Sequence, residues 1–178
     1  MLKKVLILSS SPRQDGNSEL LCKEFLRGAK EAGHEAKLVS LREKKMNYCL
    51  ACDTCRKNGG ICVHQDDVPH LLDQLLACDV FVLASPVYYY DFSAQMKTLI
   101  DRTYAVTSAI KDKEAYLLMS GASPRREDMR VLEASYHGFL ACFKNVTDKG
   151  ILYGTGAGGK GEINSGSLLA AYQMGKAV

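Results

Sequence analysis

Apolar residues recur along this chain in two forms, short unbroken runs and stripes spaced three and four apart. Val5-Leu6-Ile7-Leu8 is a continuous run, as in a parallel strand covered on both faces. Residues 18 to 32 follow as a helix, with Leu21, Phe25, Ala29 and Ala32 on one face and Gly33 as a stop signal. A second strand is expected over Glu35 to Leu41. Val68, Leu71, Leu72, Leu75 and Leu76 then fall at helical spacing. Asp66 or Asp67 would cap that helix, and Pro69 suits its first turn. The run "DVFVLAS" (79–85) predicts the third strand. Phe92, Met96, Leu99, Ile100 and Thr103 line a third helix, and "AYLLMS" (115–120) is a fourth strand. Met129, Leu132, Tyr136, Leu140 and Phe143 line a fourth helix. "GILYGT" (150–155) is a fifth strand, and Ser167 to Lys176 form a last helix.

Five such βα units predict an α/β fold, an open parallel sheet with helices on both faces. The pattern shows no repeat and no linker, so residues 1–178 read as one domain with an irregular insertion at about 42–66. Ligands of such sheets bind beyond the carboxyl ends of the strands, where strand order reverses. The loops at 9–18, 85–92 and 120–128 are therefore where chemistry is expected.

Composition narrows the partners. A net charge of +3 with scattered basic residues gives no footprint for nucleic acid. No apolar stretch reaches the roughly 18 residues of a membrane span. The apolar run after "MLKK" is shorter than a secretory core, so a cytoplasmic location is expected, where thiols stay reduced.

The first loop, "SSSPRQDGNS", joins a buried strand to a helix start. Its hydroxyls, Arg13, Gly16 and the helix N–H groups suit a phosphate, although a plain polar loop with an ordinary cap would read the same way. It lacks the G-x-x-x-x-G-K-[ST] pattern of a nucleoside triphosphatase. The third loop, "SPVYYYDFSAQMK", sets three tyrosines at the expected crevice, flat partners for a planar ring or packing for the next helix. In the fourth, "SGASPRRED", Gly121 permits close backbone approach, Ser123 or Pro124 begins the next helix, and Arg125 and Arg126 meet an anion or face water.

Together, "SSSPRQDGNS", "SPVYYYDFSAQMKTLIDR" and the late "KGE" resemble the flavodoxin-like flavoproteins of the NADPH-dependent FMN reductase type, over nearly the whole chain. The resemblance implies a sheet ordered 2-1-3-4-5 and bound FMN. It places the phosphate against Ser9, Ser11, Arg13, Gly16, Asn17 and Ser18. It places the ribityl chain and ring beside Pro86, Val87, Tyr88 and Tyr89, with Ser120, Gly121 and Ala122 flanking the ring. It also implies a homodimer or homotetramer whose neighbouring subunit helps close the flavin site, and NAD(P)H as co-substrate.

Four of the seven cysteines lie within fourteen residues: Cys49, Cys52, Cys55 and Cys62, spaced C-x2-C-x2-C-x6-C. Thiolates at that spacing can wrap a [4Fe-4S] cluster, with Gly59-Gly60 giving the return its flexibility. The spacing resembles that of the iron–sulfur flavoproteins, which implies electron exchange between cluster and FMN. A four-thiolate zinc site, or a metal-free loop lining a pocket or subunit interface, would need the same residues. Cys22, Cys78 and Cys142 read as buried structural thiols.

The G-x-G-x-x-G at Gly154–Gly159 follows the last strand, so it reads as a flexible loop near the ligand end and not as a dinucleotide fingerprint. His34, His64, His70 and His137 form no evident pair, and no G-x-S-x-G elbow occurs. Asp101-Arg102 closes the third helix and is expected to pair within it or across a subunit contact. The expected function is an FMN-dependent oxidoreductase with no catalytic side chain of its own, moving electrons to a small acceptor such as a quinone or free flavin. A flavin and iron–sulfur electron carrier served by a ferredoxin-type donor, or a zinc-stabilised interaction module, are the alternatives.

Overall fold

The computed structural model describes residues 1–178. Five parallel strands form one sheet in the order β2-β1-β3-β4-β5, with β1 at Lys4–Ser9, β2 at Glu35–Ser40, β3 at Val80–Pro86, β4 at Lys111–Ser120 and β5 at Lys144–Gly154. The helices are α1 (Asn17–Glu31), α2 (Thr54–Lys57), α3 (Val68–Ala77), α4 (Ala94–Arg102), α5 (Arg130–Leu140) and α6 (Ser165–Lys176).

Side chains of the central strands alternate between two cores, as the pleat requires. Leu6, Leu8, Phe81, Leu83, Leu117 and Met119 face α3, α4 and α5. Val5, Ile7, Val80, Val82, Ala84 and Leu118 face α1 and α6. Because both faces are covered, these strands read as continuous apolar runs. On the second side α1 and α6 pack backbone to backbone. A Cβ at Gly28 would lie 2.1 Å from the Tyr172 carbonyl oxygen, and one at Gly175 would lie 2.1 Å from that of Phe25.

The differences from the expected pattern fall where burial is one-sided. β5 begins at Lys144, several residues early, because this edge strand is mostly exposed and carries polar residues that give no apolar run. β4 begins at Lys111. Its first residues are polar, and Lys113 is buried with its ammonium donating to the carbonyls of Leu76 and Cys78 at 2.9 and 2.5 Å, at the C-terminal end of α3. The expected third helix is α4 followed by a 3-10 segment over Thr103–Ala109. The insertion holds a 3-10 turn at Leu41–Glu43 and the one-turn α2. A 3-10 turn at Arg126–Met129 precedes α5.

Candidate functional site

At the carboxyl edge of the sheet, a cavity of about 210 Å³ opens where the loops after β1, β3 and β4 meet. Its wall includes Ser11, Arg13, Gly16, Asn17 and Ser18 from the first loop and Pro86, Val87 and Tyr88 from the third. Ser120, Gly121 and Ala122 come from the fourth, and Ala157 and Gly158 from the segment after β5. Of the residues singled out in sequence, Ser9 and Tyr89 lie outside this wall. Ser9 is the last residue of β1 and is fully buried, its hydroxyl without a partner. Tyr89 projects wholly into solvent.

The crest is held by buried hydroxyls. Ser93 Oγ donates to Ser10 Oγ at 2.8 Å, Ser10 Oγ donates to the Ala84 carbonyl at 3.0 Å, and the Ser93 N–H donates to Ser85 Oγ at 3.0 Å. This chain of bonds ties the first loop to the start of α4. Ser18 Oγ lies 3.0 Å from Ser120 Oγ, joining α1 to β4.

The first loop presents open donors. Gly16 is the N-cap of α1 and brings no capping side chain, and the first intrahelical bond is from the Leu20 N–H to the Gly16 carbonyl. The N–H groups of Asn17, Ser18 and Glu19 thus lack intrahelical acceptors. A larger residue at Gly16 would force the loop to shift, since a Cβ there would stand 2.3 Å from Ser11 Oγ. Arg13 is exposed at the cavity mouth.

Asn17 lines the cavity, as expected of a first-loop residue, and its side chain also fixes a second part of the wall. Its amide Nδ2 donates to the carbonyls of Ala157 (3.1 Å) and Gly159 (2.8 Å), and its Oδ1 accepts the Ile163 N–H at 3.1 Å. The segment read as a flexible glycine loop is therefore pinned against α1 and supplies part of the cavity wall. Its place after the carboxyl end of β5, on the ligand side of the sheet, was the available signal. The fourth loop's arginines both find partners elsewhere: Arg125 pairs with Asp128 at 2.9 Å, and the Arg126 guanidinium lies 3.7 Å from the Tyr153 ring centre.

Tyr88 and Asp91 exchange backbone bonds of 3.0 and 3.1 Å around a tight turn. Its central residues, Tyr89 and Tyr90, have φ of 47° and 69°. Bulky side chains rarely take this left-handed conformation.

The cysteine insertion is built differently. Arg102, expected to pair within its own helix or across a subunit contact, instead reaches the insertion: its guanidinium meets the Asp66 carboxylate at 2.9 and 3.2 Å and the Asn47 carbonyl at 2.8 Å. Both side chains are only 2% exposed. Asp66 also accepts the N–H groups of Asn47 (2.8 Å) and Val68 (3.1 Å), so it serves the start of α3 as well. Burial alone would raise the Asp66 carboxyl, but Arg102 and these two N–H groups outweigh it and hold the group near 2. Residues 47 and 66 are thereby closed into a neck. Beyond it, Arg56 donates to Tyr104 Oη at 2.7 Å and steadies α2.

The four insertion thiols do not converge. Cys49 and Cys52 are exposed, Cys55 and Cys62 are partly covered, and no three His, Cys, Asp or Glu side chains gather in a group able to hold a metal ion. The donor chemistry suits a cluster or zinc, but this arrangement does not fit one. Cys142, expected to be buried, is exposed and faces a groove between α5 and the insertion that Cys55 also lines. Cys22 and Cys78 are buried, and burial pushes their thiols up to about 12 and about 11. His137 lies 3.0 Å from the Asp148 carboxylate.

Residues 3–146 match the family model described as NADPH-dependent FMN reductase. The chain belongs to that family. An iron–sulfur flavoprotein of Methanocaldococcus jannaschii is 34% identical over 139 residues, covering 77% of this chain and 72% of that protein. Among solved structures, the NAD(P)H:quinone oxidoreductase of Methanothermobacter marburgensis superposes with a TM-score of 0.80 at 22% identity, covering 99% of this chain and 96% of that one. An azoreductase of Bacillus anthracis gives 0.78 at 19% identity, with full coverage of both chains. As in this family of FMN-dependent oxidoreductases, the sheet is flavodoxin-like and the crest cavity occupies its switch point. No helix of the chain is long and apolar enough to cross a membrane.

Proposed function

We propose that the crest cavity is the FMN site and that the protein moves electrons from NAD(P)H to a small acceptor such as a quinone. The observation that carries this reading is the meeting, in one cavity, of an uncapped helix start with walls from three further segments. The names of the structural neighbours, a quinone oxidoreductase and an azoreductase, support the acceptor class.

The phosphate of FMN fits the first loop. The free N–H groups at the start of α1, the Arg13 guanidinium and the hydroxyls of Ser11 and Ser18 would hold it. Pro86, Val87 and Tyr88 would border the ribityl chain and ring on one side, and Ser120, Gly121 and Ala122 with Ala157 and Gly158 on the other. FMN, when bound, supplies the redox chemistry, accepting and releasing electrons at its ring. The chain's own residues bind and orient it.

Assembly into a homodimer or homotetramer is part of the same reading. The exposed Tyr88, Tyr89 and Tyr90 at the cavity mouth support it, because aromatic surface beside a half-open site favours a neighbouring subunit. A cytoplasmic setting, in which thiols stay reduced, is part of the same reading.

The test is titration of the apoprotein with FMN, followed by oxidation of NADH and NADPH in the presence of a benzoquinone. Stoichiometric flavin binding and quinone-dependent turnover are expected. Binding of flavin with no turnover from either nicotinamide would favour the carrier alternative, and no flavin binding would end both.

A further inference from the structure

The start of α1 carries half of a capping arrangement. In a full capping box the N-cap side chain bonds the third helical N–H, and a Glu at that third position bonds back to the N-cap. Here the N-cap is Gly16, so the first half is missing. The second half is present but displaced by one residue. Glu19, third in the helix, accepts the Asp15 N–H at 2.8 Å. That bond holds Asp15 in the left-handed conformation (φ 53°) from which the chain turns into Gly16.

Glu19 is almost completely buried, and its negative charge stands in the same helical turn as the open N–H groups. A phosphate in the neighbouring cavity would be repelled by it. Arg42, from the 3-10 turn after β2, answers that charge: its Nη1 lies 3.1 Å from Glu19 Oε2, and its Nη2 lies 3.2 Å from Glu43. The other charged groups around the loop are Asp15, bonded to Lys23 at 2.5 Å, together with Arg13 and Lys160.

We infer that Glu19 and Arg42 are a positioning pair for the phosphate loop: Glu19 braces the helix start while leaving its donors open, and Arg42 cancels the charge that the brace introduces. The ligand's phosphate then supplies the half of the cap that the sequence omits. This rests on the FMN reading of the cavity. It adds that selection of FMN over riboflavin depends on two side chains that do not line the cavity.

The two functions separate by substitution. Glu19→Gln keeps an acceptor for the Asp15 N–H and removes the charge, so FMN binding stays as tight as in the unaltered protein or becomes tighter. Glu19→Ala loses the brace, and FMN binding weakens by about tenfold. Arg42→Met leaves Glu19 uncompensated and weakens FMN binding by about tenfold to a hundredfold. Adding Glu19→Gln to Arg42→Met restores most of that loss. Riboflavin, which lacks the phosphate, binds all four variants within about threefold of the unaltered protein.

The measurement is flavin fluorescence quenching on apoprotein, with circular dichroism to confirm folding. Equal losses for FMN and riboflavin in Arg42→Met, or failure of the double variant to recover, would overturn the inference. If Glu19→Ala does not fold, the Arg42→Met and double-variant comparison decides alone. An unaltered protein that binds riboflavin as tightly as FMN would instead sink the phosphate reading itself.

Discussion

The crest cavity and the cysteine insertion hold the two sets of candidate chemistry in this chain, and they are built on opposite plans. The cavity gathers short pieces from four loops that stand at the carboxyl ends of strands, three of them buried, and hydroxyls with almost no solvent contact fix their spacing. The insertion is one continuous segment, closed at its neck by a buried ion pair and a few backbone bonds, with its thiols spread beyond it. A site set on rigid strand ends is preorganised without its ligand, whereas a site borne on a loop is only as ordered as the loop's anchor. The contrast explains why the crest residues converge on one cavity as they stand and why the four thiols do not gather into one group in the same structure.

Thiol labelling should expose the contrast most strongly. Cys49, Cys52, Cys55 and Cys62, with Cys142, should react with a maleimide in the folded protein, while Cys22 and Cys78 react only after denaturation. Their burial and raised thiol range make the expected difference in rate several orders of magnitude. Mass spectrometry after a timed pulse would show it. Equal labelling of all seven would mean that the two halves are not differently ordered.

Next in size is the neck. Arg102→Met strands a buried carboxylate, with an expected loss of about 3–5 kcal/mol in urea unfolding. Arg102→Met with Asp66→Asn should recover much of it. Acid acts on the same pair. The Asp66 carboxyl lies near 2 in the folded protein against an ordinary 3.8, so its contribution is complete above about pH 4 and is lost as pH falls toward 2. The double variant should therefore show a shallower loss of stability across that window.

Gly16→Ala tests the cavity side. Its Cβ would meet Ser11 Oγ at 2.3 Å and the Arg13 carbonyl at 3.0 Å. An expected overpacking cost of about 1–3 kcal/mol should fall on the first loop and weaken FMN binding. Labelling of the insertion thiols should not change. A change there would show that the two regions are coupled.

The smallest effect is expected at the tyrosine turn. Replacing Tyr89-Tyr90 by Asn-Gly supplies the pair favoured where both central residues have positive φ. Thermal unfolding should show a gain of up to about 1 kcal/mol. No gain would indicate that the aromatic side chains compensate for the backbone they strain.

Much of this could be read from the residues in order. The buried strands announced themselves because both faces are covered, and Ser11, Arg13, Gly16, Ser18, Tyr88 and Gly121 could be placed at the crest because they lie in loops at the carboxyl ends of the strands, while Val87 came only with the family resemblance. β5 was legible only at its apolar end, since an exposed edge strand carries no such run.

What the sequence determined by itself, then, is the periodicity, the loop chemistry and the cysteine spacing, all properties of neighbours along the chain. Tertiary structure decided the rest. Asn17 bonds a loop 140 residues away, Arg102 reaches across 36 residues to Asp66, and Cys142 turns outward. Partners for buried polar groups are chosen by proximity in space after the layers pack, and no local pattern encodes that choice.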